Sequence, residues 1–475
     1  MNALGVALDD AALAIAGTDD AAPPDVAASI VDAGRTQRAR LGQGALASVR
    51  TNPTAVSSRH WFDLAHGRPP SRESASIARA ELAVRRAALG LAADVAACVA
   101  VPASLDAPAL GRLLAVFRAA GVPVSAFVDA AALLAAGCGP AEGAAIVLEL
   151  GLHHAGAARV DVTAHEARRR SFRLRTRDGL VALQESWLQL VSEAMVLKTR
   201  FDPLHDAATE QRLYDQLQAV AARAARDGSA TVGLSIGAGE NPMRHEVVLS
   251  RDQFAARGES LYRDLAAMVH ELRPAGVPVT LLAPARIGQL PGLRELLAAE
   301  FHGCDLRLVP DGLAAGMAAA LAARDGETGG AAQGAVPLRR GVPRLDDPRW
   351  RDGATPAERL TRPGEGEASA RPTHLLWSGR ALALAGAAIE IGRAPAAGGI
   401  ALAEGLAGVS RLHCTVRDEA GTIVLVDHSR HGSYVNGERV AGRARLRAGD
   451  RLRIGDPSVE LSLIAVGGAH GTPQA

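Results

Sequence analysis

Several residue types are scarce in this chain of 475 residues. Aromatic residues make up 3% of it, against 48% hydrophobic residues overall, so a core must be built largely from Ala, Leu and Val. Neither sign of charge dominates, because 52 basic and 51 acidic residues leave a formal net charge of +1. A global field that attracts nucleic acid or an anionic membrane is therefore excluded, and any phosphate binding must be local.

Cysteine and lysine are also rare. The four cysteines, Cys98, Cys138, Cys304 and Cys414, stand far apart, without the paired spacing of a zinc site or a redox pair. The chain therefore predicts no metal site and reduced, mostly buried thiols in a cytoplasmic protein. Lys198 is the only lysine, which leaves a single candidate for any lysine-dependent chemistry.

Long hydrophobic runs are absent. No stretch reaches the roughly eighteen uninterrupted apolar residues of a membrane helix. Residues 1–20 also lack a basic segment followed by a long apolar run, so neither export nor membrane insertion is expected. The length exceeds what one hydrophobic core usually organises, which predicts two or three domains.

Two similar successions of elements occupy the first two thirds of the chain. Residues 4–16 predict a β-hairpin, and residues 95–102 predict a buried strand that ends at a proline. Residues 144–151 form a short apolar run like that of the first strand. Residues 277–283 predict a further strand, and residues 312–324 a final Ala-rich helix.

This duplication resembles the actin and heat-shock chaperone superfamily of ATPases. The likeness lies in the strand end at 99–102, in residues 281–297 with their Arg-Ile-x-x-Leu-Pro-Gly-Leu core, and in the Ala-rich stretch 312–320. The resemblance implies that residues 1–324 form a two-lobed α/β domain. Its lobes would be duplicated ribonuclease H-like units that close over a nucleotide.

The turns that would hold the nucleotide depart from the family pattern. In such turns, glycines let backbone N–H groups approach the phosphates, and a carboxylate faces the metal. In the first turn Ala7 replaces the metal-side Asp, and Asp9, followed by Asp10, places a carboxylate where phosphate would sit. In the second turn Glu149 stands in place of the family's Asp, and its longer side chain would still be able to reach a metal. Gly151 remains, but two of the family's glycines are lost.

A third departure is Ala283, which with Pro284 replaces a Gly-Gly pair near the adenosine pocket. The resemblance therefore predicts a degenerate nucleotide site in a pseudo-ATPase with no cofactor. The alternative is a working ATPase that binds Mg-ATP. His153 and His154 have no cysteine or carboxylate cluster nearby in sequence, so we predict a solvated turn and no metal there.

Residues 325–372 differ from the preceding part of the chain. They are rich in Gly, Pro, Ala and Arg and show no periodicity, which predicts a flexible connector. The connector contains Thr328, Thr355 and Thr361, each of which a threonine kinase would be able to phosphorylate.

Three short motifs follow near the C-terminus: Ile-Gly-Arg at 391–393, Ser-Arg-Leu-His at 410–413, and Asp-His-Ser-Arg-His-Gly-Ser-Tyr-Val-Asn-Gly at 427–437. Their order and spacing, among short strands and turns, resemble those of a forkhead-associated (FHA) domain. The resemblance implies an all-β sandwich at residues 373–466 that binds phosphothreonine peptides. A disordered tail is expected at residues 467–475.

The resemblance also assigns roles to individual residues. Phosphothreonine carries nearly two negative charges, so its pocket needs guanidinium groups, hydroxyls and N–H groups on fixed loops. Arg393 is implied as the main phosphate ligand, with the Ser410 hydroxyl and the Arg411 cation beside it. His431 stands where the family usually has an Asn that grips the peptide backbone, and a neutral imidazole offers fewer hydrogen bonds than an amide. The other residues implied for peptide contact are Ser429 and Arg430, and those implied to support the site are Gly392, His413, Gly432, Asn436 and Gly437.

Together these features predict a phosphothreonine-dependent adaptor in serine/threonine kinase signalling, without binding to nucleic acid or membrane. Its partners would be a threonine-phosphorylated protein and an upstream kinase, and it would also be able to bind its own phosphorylated connector. One alternative is an active chaperone-like ATPase that recruits clients through the FHA domain. Another is a structural sandwich with no affinity for phosphate.

Overall fold

The computed structural model divides the chain into two compact units. Unit 1 ends at Thr361, and unit 2 begins at the next residue. The residues that the structure describes are 3–18, 24–32, 40–67, 71–91, 95–237, 243–274, 277–327, 336–361, 372–378, 380–386, 388–403, 405–419, 421–435, 438–448, 450–455 and 459–464.

The first half of unit 1 begins with the predicted hairpin and continues with helices and parallel strands. Two of its helices are capped by aspartates: Asp106 accepts from the N–H of Ala109, and Asp129 from that of Ala132. The elements of this half are β1 (Leu4–Leu8), β2 (Ala12–Gly17), β3 (Asp25–Ala28), β4 (Val31–Asp32), β5 (Arg40–Leu41), α1 (Gln43–Leu46), β6 (Val56–Ser57), α2 (His60–His66), α3 (Arg72–Ala88), β7 (Ala97–Val101), α4 (Ala107–Ala119), β8 (Val124–Asp129) and α5 (Ala130–Cys138).

The second half of unit 1 repeats this succession and adds a separate hairpin and a long helix at residues 229–272, which the sequence patterns did not predict. That long helix begins with a capping box formed by Ser250 and Gln253. The elements of this half are β9 (Gly143–Leu150), β10 (Ala155–Val162), β11 (Glu166–Arg175), α6 (Leu180–Thr199), α7 (Ala207–Asp227), β12 (Ser229–Ile236), β13 (Met243–Ser250), α8 (Arg251–Leu272), β14 (Val279–Pro284), a 3-10 turn (Ala285–Gln289), α9 (Leu293–Glu300), β15 (Asp305–Val309) and α10 (Leu313–Glu327).

The two large sheets of unit 1 share one strand order over the described residues. One contains the run β3-β2-β1-β7-β8 and the other the run β11-β10-β9-β14-β15. In each run the first three strands are antiparallel, and the last two are parallel to the third. The duplication predicted from the sequence is therefore present as topology, while the actin-like assignment stays a prediction.

Small residues let helix α10 lie directly on strand β1. A Cβ on Gly5 would overlap the carbonyl oxygen of Ala315, so only glycine fits at this position. Ala315, Ala318 and Ala319 are almost fully buried in the same layer. The low aromatic content of the sequence thus corresponds to layers that pack closely through alanine.

Residues 336–361 are folded into unit 1, which corrects the prediction that they belong to a flexible connector. Their elements are β16 (Leu338–Arg339), β17 (Gly341–Pro343), α11 (Pro348–Gly353) and β18 (Glu358–Arg359). Strands β16, β17 and β18 pair with β8, β11 and β15, and so cover three sheet edges. The sequence did not reveal them because strands of two or three residues are too short to show a period.

Trp350 fixes this segment to the unit. It is 7% exposed, and its side chain lies 3.1 Å and 3.2 Å from where Cβ atoms on Gly137 and Gly316 would stand. We expect Trp350→Ala to lower the free energy of unfolding of unit 1 by about 3 kcal/mol, because a large buried ring is lost. Urea denaturation measures this change. The exposed neighbour Arg351→Ala is the control, and similar losses in both variants would contradict a packing role for this segment.

Unit 2 consists of strands over its described residues. They are β19 (His374–Trp377), β20 (Arg380–Ala383), β21 (Ile389–Gly392), β22 (Ile400–Ala401), β23 (Cys414–Glu419), β24 (Thr422–Asp427), β25 (Tyr434–Val435), β26 (Glu438–Arg439), β27 (Arg443–Arg445), β28 (Arg451–Ile454) and β29 (Val459–Ile464). One sheet runs β20-β19-β29-β28-β25-β26 and the other β22-β21-β23-β24-β27. Apolar side chains of both sheets, among them Ile391, Leu425 and Leu452, form one core. The architecture is consistent with the predicted sandwich, and the predicted tail at 467–475 lies outside the described residues.

The structure also reports on the cysteines and on membrane helices. All four cysteines are buried and free, and burial raises the pKa of the Cys98 and Cys414 thiols to about 12. Among the described residues, no helix is both long and apolar enough to cross a bilayer. The same residues contain no cluster of His, Cys, Asp and Glu suited to a metal ion.

Candidate functional site

The end of strand β21 brings the first two motifs of unit 2 together. Arg393 donates its backbone N–H to the carbonyl oxygen of Ser410 over 3.1 Å, and Ala394 donates to that of Arg411 over 2.9 Å. A Cβ on Gly392 would overlap the Arg411 carbonyl oxygen. Glycine at position 392 therefore permits the close approach that places Arg393 beside Ser410 and Arg411.

His413 connects this segment to the third motif. Its imidazole is fully buried; Nδ1 accepts from the backbone N–H of Ser410 at 3.2 Å, and Nε2 donates to the carbonyl oxygen of Gly432 at 3.3 Å. A ring that accepts at one nitrogen and donates from the other is neutral. Burial favours this neutral form, because it lowers the pKa of His413. His413 thus occupies the supporting position that the resemblance implies.

The loop between β24 and β25 is organised around Asp427. Its Oδ1 accepts from the N–H of Ser429 at 3.1 Å and from the hydroxyl of Ser433 at 2.9 Å. Burial works to raise the pKa of Asp427, but the hydrogen bonds from Ser429 and Ser433 outweigh it and lower that pKa. The Ser429 hydroxyl also accepts from the N–H of Gly432 at 2.7 Å. Ser429, predicted as a peptide contact, is therefore engaged in shaping the loop.

The cations predicted for phosphate binding are exposed at the same end of the unit. Arg393, Arg411 and Arg430 point their guanidinium groups at no ion-pair or hydrogen-bond partner among the described residues. The hydroxyl of the half-buried Ser410 likewise has no partner among them. Unpaired guanidinium groups next to a free hydroxyl form a site that can take a phosphate ester through charge-assisted hydrogen bonds. We call this surface the rim, defined by residues 393, 410–411 and 429–432.

His431 lies on the border between the two loops of the rim. It is exposed, and a Cβ on Gly408 would lie 3.5 Å from its own Cβ, which is ordinary contact distance. Asn436 and Gly437, predicted to support the site, lie outside the described residues. Arg439 was missed by the sequence reasoning. No local motif marks Arg439, because its place beside the loop follows from the pairing of β25 with β26.

Removing the His413 imidazole is expected to loosen the rim. His413→Ala leaves the Ser410 N–H and the Gly432 carbonyl without their partner, which costs about 2 kcal/mol of stability in unit 2. We expect the affinity for a phosphothreonine peptide to fall about tenfold. Chemical denaturation and fluorescence anisotropy measure the two effects. The exposed Arg445→Ala on β27 is the control, and equal losses in the two variants would argue against the bridge.

A second candidate site lies in unit 1, at the carboxyl ends of strands β1, β9 and β14. It is a cavity of about 110 Å³ with mostly apolar walls. Four of the residues predicted for the degenerate nucleotide site line it, namely Ala7, Asp9, Glu149 and Ala283. The other two, Asp10 and Gly151, lie against each other, since a Cβ on Gly151 would overlap Asp10 Oδ1. The structure thus brings the predicted residues of both halves together.

The two carboxylates of the first turn are both occupied by protein groups. Asp9 forms an ion pair with Arg286, whose Nη1 also lies 3.2 Å from Asp311. Asp10 accepts from the backbone N–H groups of Leu152 at 2.7 Å and of His153 at 3.0 Å. Asp10 is thus the carboxylate that receives the N–H groups of the second turn, while Asp9, predicted to stand where phosphate would sit, lines the cavity beside Arg286.

His154 completes this contact and corrects the prediction of a solvated pair of imidazoles. It is 4% exposed, and its Nδ1 lies 3.2 Å from Asp10 Oδ2. Burial works to lower the pKa of His154, but the hydrogen bond and charge of Asp10 raise it to about 9. Burial works to raise the pKa of Asp10, but the bonds from His154 and the N–H groups lower it to about 2. Near neutral pH this is a buried ion pair.

The ion pair predicts a pH-dependent stability. Because the pKa of His154 is raised to about 9 in the folded state, its contribution is complete below the unfolded value and is lost as pH rises towards 9. The stability difference between the wild type and His154→Gln should therefore shrink by about 3 kcal/mol from slightly acidic to alkaline pH. Urea denaturation across this range measures it. A constant difference would show that His154 acts through packing alone.

Glu149 also lines the cavity and is held there by a backbone group. Its Oε1 accepts from the backbone N–H of Ala103 at 3.1 Å. Burial raises the pKa of Glu149 to about 7, although the charge of His154 opposes the shift. Burial thus favours the protonated form of Glu149, and a hard cation requires the ionised form as its ligand.

Comparison with known proteins identifies the C-terminal part. A family model described as the FHA domain matches residues 389–455, a stretch that contains the whole rim. A search of curated proteins found no match for the chain. The FHA match supports, in general terms, the binding of phosphothreonine peptides and an adaptor role. It does not extend to unit 1, whose resemblance to the actin-like superfamily stays a prediction.

Proposed function

We propose that this protein is a phosphothreonine-dependent adaptor in serine/threonine kinase signalling. Its C-terminal unit would recruit a partner that an upstream kinase has phosphorylated on threonine, and a phosphatase would reverse the contact. The proposal places this exchange in the cytoplasm, in keeping with the sparse and unpaired cysteines of the sequence.

The proposal rests on the exposed cations and the hydroxyl of the rim. Arg393 and Arg411 are exposed without partners among the described residues, and the backbone N–H of Arg393 donates to the carbonyl oxygen of Ser410, the residue before Arg411. Two guanidinium groups and a hydroxyl match the charge and the three acceptor oxygens of a phosphothreonine side chain. His413 and Asp427 fix the two loops, so little ordering is needed when a peptide binds.

An array of paired peptides tests the proposal on the full chain. Each sequence is presented with threonine, with phosphothreonine and with phosphoserine at the same position. We expect retention of a subset of the phosphothreonine members and no retention of their unphosphorylated partners. Equal retention of phosphorylated and unphosphorylated members, or retention of none, would favour a structural sandwich without phosphate affinity.

We also propose that unit 1 is a scaffold that does not turn over ATP. What supports this proposal is the pairing of Asp10 with the N–H groups of Leu152 and His153 and of Asp9 with Arg286. These carboxylates occupy the groups that would otherwise meet phosphate, and they would repel it. Calorimetry with Mg-ATP should give a flat trace. A micromolar isotherm would favour the chaperone-like ATPase.

Capture of the protein's own connector is a narrower form of the proposal. Thr361 is exposed at the end of unit 1, whereas Thr355 Oγ1 accepts from the N–H of Leu308 at 2.8 Å and so lies fixed on β15. Thr328 lies outside the described residues. Intact-mass measurement after kinase treatment tests this form, and the absence of phosphate on Thr361 and Thr328 would remove it.

A further inference from the structure

Arg439 is a cation of unit 2 that the phosphothreonine site does not use. It lies on β26, opposite Tyr434 on β25, and a Cβ on Gly432 would lie 2.5 Å from its Nε. The guanidinium stem therefore packs over the backbone of Gly432, on the loop that carries His431. Gly432 has φ of 93°, so this loop needs a glycine at the point of contact.

The charge of Arg439 is not neutralised within the described residues. Arg439 is exposed and has no ion pair with a carboxylate among them, and the same is true of Arg430 on the adjacent loop. Elsewhere in the unit some arginines are paired, since Arg417 lies 2.7 Å from Glu419 and Arg451 lies 3.3 Å from Glu460. The exposed Arg445 has no ion pair among the described residues either, so Arg439 is distinguished by its place against the rim. An uncompensated pair of arginines beside a ligand site favours an anionic group on the ligand.

Arg439 lies within reach of a peptide bound at the rim. The single imidazole of His413 spans from the N–H of Ser410 to the carbonyl oxygen of Gly432, with hydrogen bonds of 3.2 Å and 3.3 Å. The proposed phosphate position and the backbone under Arg439 are thus one side chain apart. An extended peptide advances about 3.3 Å per residue, so about two to four residues cover this separation.

Resting on the proposed function, we propose that the rim binds a doubly anionic peptide, in which a second acidic side chain close to the phosphothreonine contacts Arg439, assisted by Arg430. The second group is a carboxylate or a second phosphate, since both accept hydrogen bonds from a guanidinium fork. The structure thereby assigns Arg439 a role in partner selection, separate from the phosphate contact of Arg393.

Peptide titrations with the full chain test this assignment. One phosphothreonine peptide has neutral flanks, and its derivatives carry one aspartate, or one phosphoserine, at each of the four positions on either side. We expect at least one aspartate derivative to bind the wild type about tenfold more tightly than the neutral peptide, with a larger gain for phosphoserine if phosphate is the natural group. Arg439→Gln should remove this gain and leave the affinity for the neutral phosphopeptide within about twofold.

Matched variants separate the possible results. Arg445→Gln changes an exposed arginine on β27, opposite Val424, and should leave both affinities unchanged. Arg439→Lys should retain part of the gain, since the charge remains but the planar fork is lost. The assignment is overturned if no derivative binds more tightly than the neutral peptide, or if Arg439→Gln keeps the gain or weakens all peptides equally. If the wild type binds no phosphothreonine peptide, the proposed function itself fails together with this inference.

Discussion

Replacing Arg393 with alanine is expected to lower the affinity for a phosphothreonine peptide about 100-fold, because the loss of a charge-assisted contact to a dianionic ester costs about 3 kcal/mol. Arg393 follows Gly392, where the chain packs too closely against the Arg411 carbonyl to admit a side chain. Its guanidinium therefore starts from a fixed backbone position. Fluorescence anisotropy at one fixed ionic strength measures the change, since added salt weakens such contacts.

Two further variants show whether the loss reflects a specific contact. Arg393→Lys keeps the charge without the bidentate geometry and should recover only part of the affinity. Arg445→Ala removes an equal charge from β27, at the strand position opposite Val424, and should have little effect. Equal weakening by Arg393→Ala and Arg445→Ala would mean that diffuse attraction, not a phosphate pocket, holds the peptide.

Replacing Asp10 with alanine is expected to lower the free energy of unfolding of unit 1 by about 4 kcal/mol, because it leaves a buried imidazolium without its counter-charge. The backbone N–H groups of Leu152 and His153 lose their acceptor at the same time. Urea denaturation measures the loss, and the exposed Asp227→Ala is the matched control. A change no larger than that of the control would show that this ion pair contributes nothing to stability.

An anion in solution should partly restore the Asp10→Ala variant. If the turn after β9 is a site for an anion that Asp10 normally fills, sulfate or inorganic phosphate should raise the melting temperature of the variant more than that of the wild type. Added chloride at matched ionic strength is the control for general salt effects. Identical shifts in both proteins would indicate that the turn has no affinity for an anion apart from Asp10.

The rim was largely predictable because its groups come from short contiguous motifs. Gly392 and Arg393 are neighbours, and the Ser-x-x-His spacing of Ser410 and His413 places an N–H and an imidazole within one turn of chain. The role of Ser429 was less predictable. A serine hydroxyl can bind either a ligand or a neighbouring backbone group. Only the tertiary position of the Gly432 N–H shows that the Ser429 hydroxyl binds within the loop.

The helices and strands of unit 1 were predicted where the apolar pattern is long, as in α10. The edge strands of residues 336–361 were not, since their pairing partners belong to the sheets and not to the segment itself. Four of the residues that the resemblance grouped line one cavity, and the other two lie against each other. Which carboxylate of the first turn reaches the second turn was not predictable, because this depends on how the two halves of unit 1 meet.

By itself the sequence predicted the first hairpin, the duplication in the first unit, the FHA motifs and the arginines proposed to bind phosphate. These features depend on residues close together in the chain, where periodicity, turn chemistry and short motifs act. Only the tertiary structure decided that residues 336–361 complete the sheets of unit 1, that Arg439 lies over Gly432, and that Asp10 reaches Leu152, 142 residues away. The physical reason is that contacts between distant residues depend on packing and strand register, which no local pattern encodes.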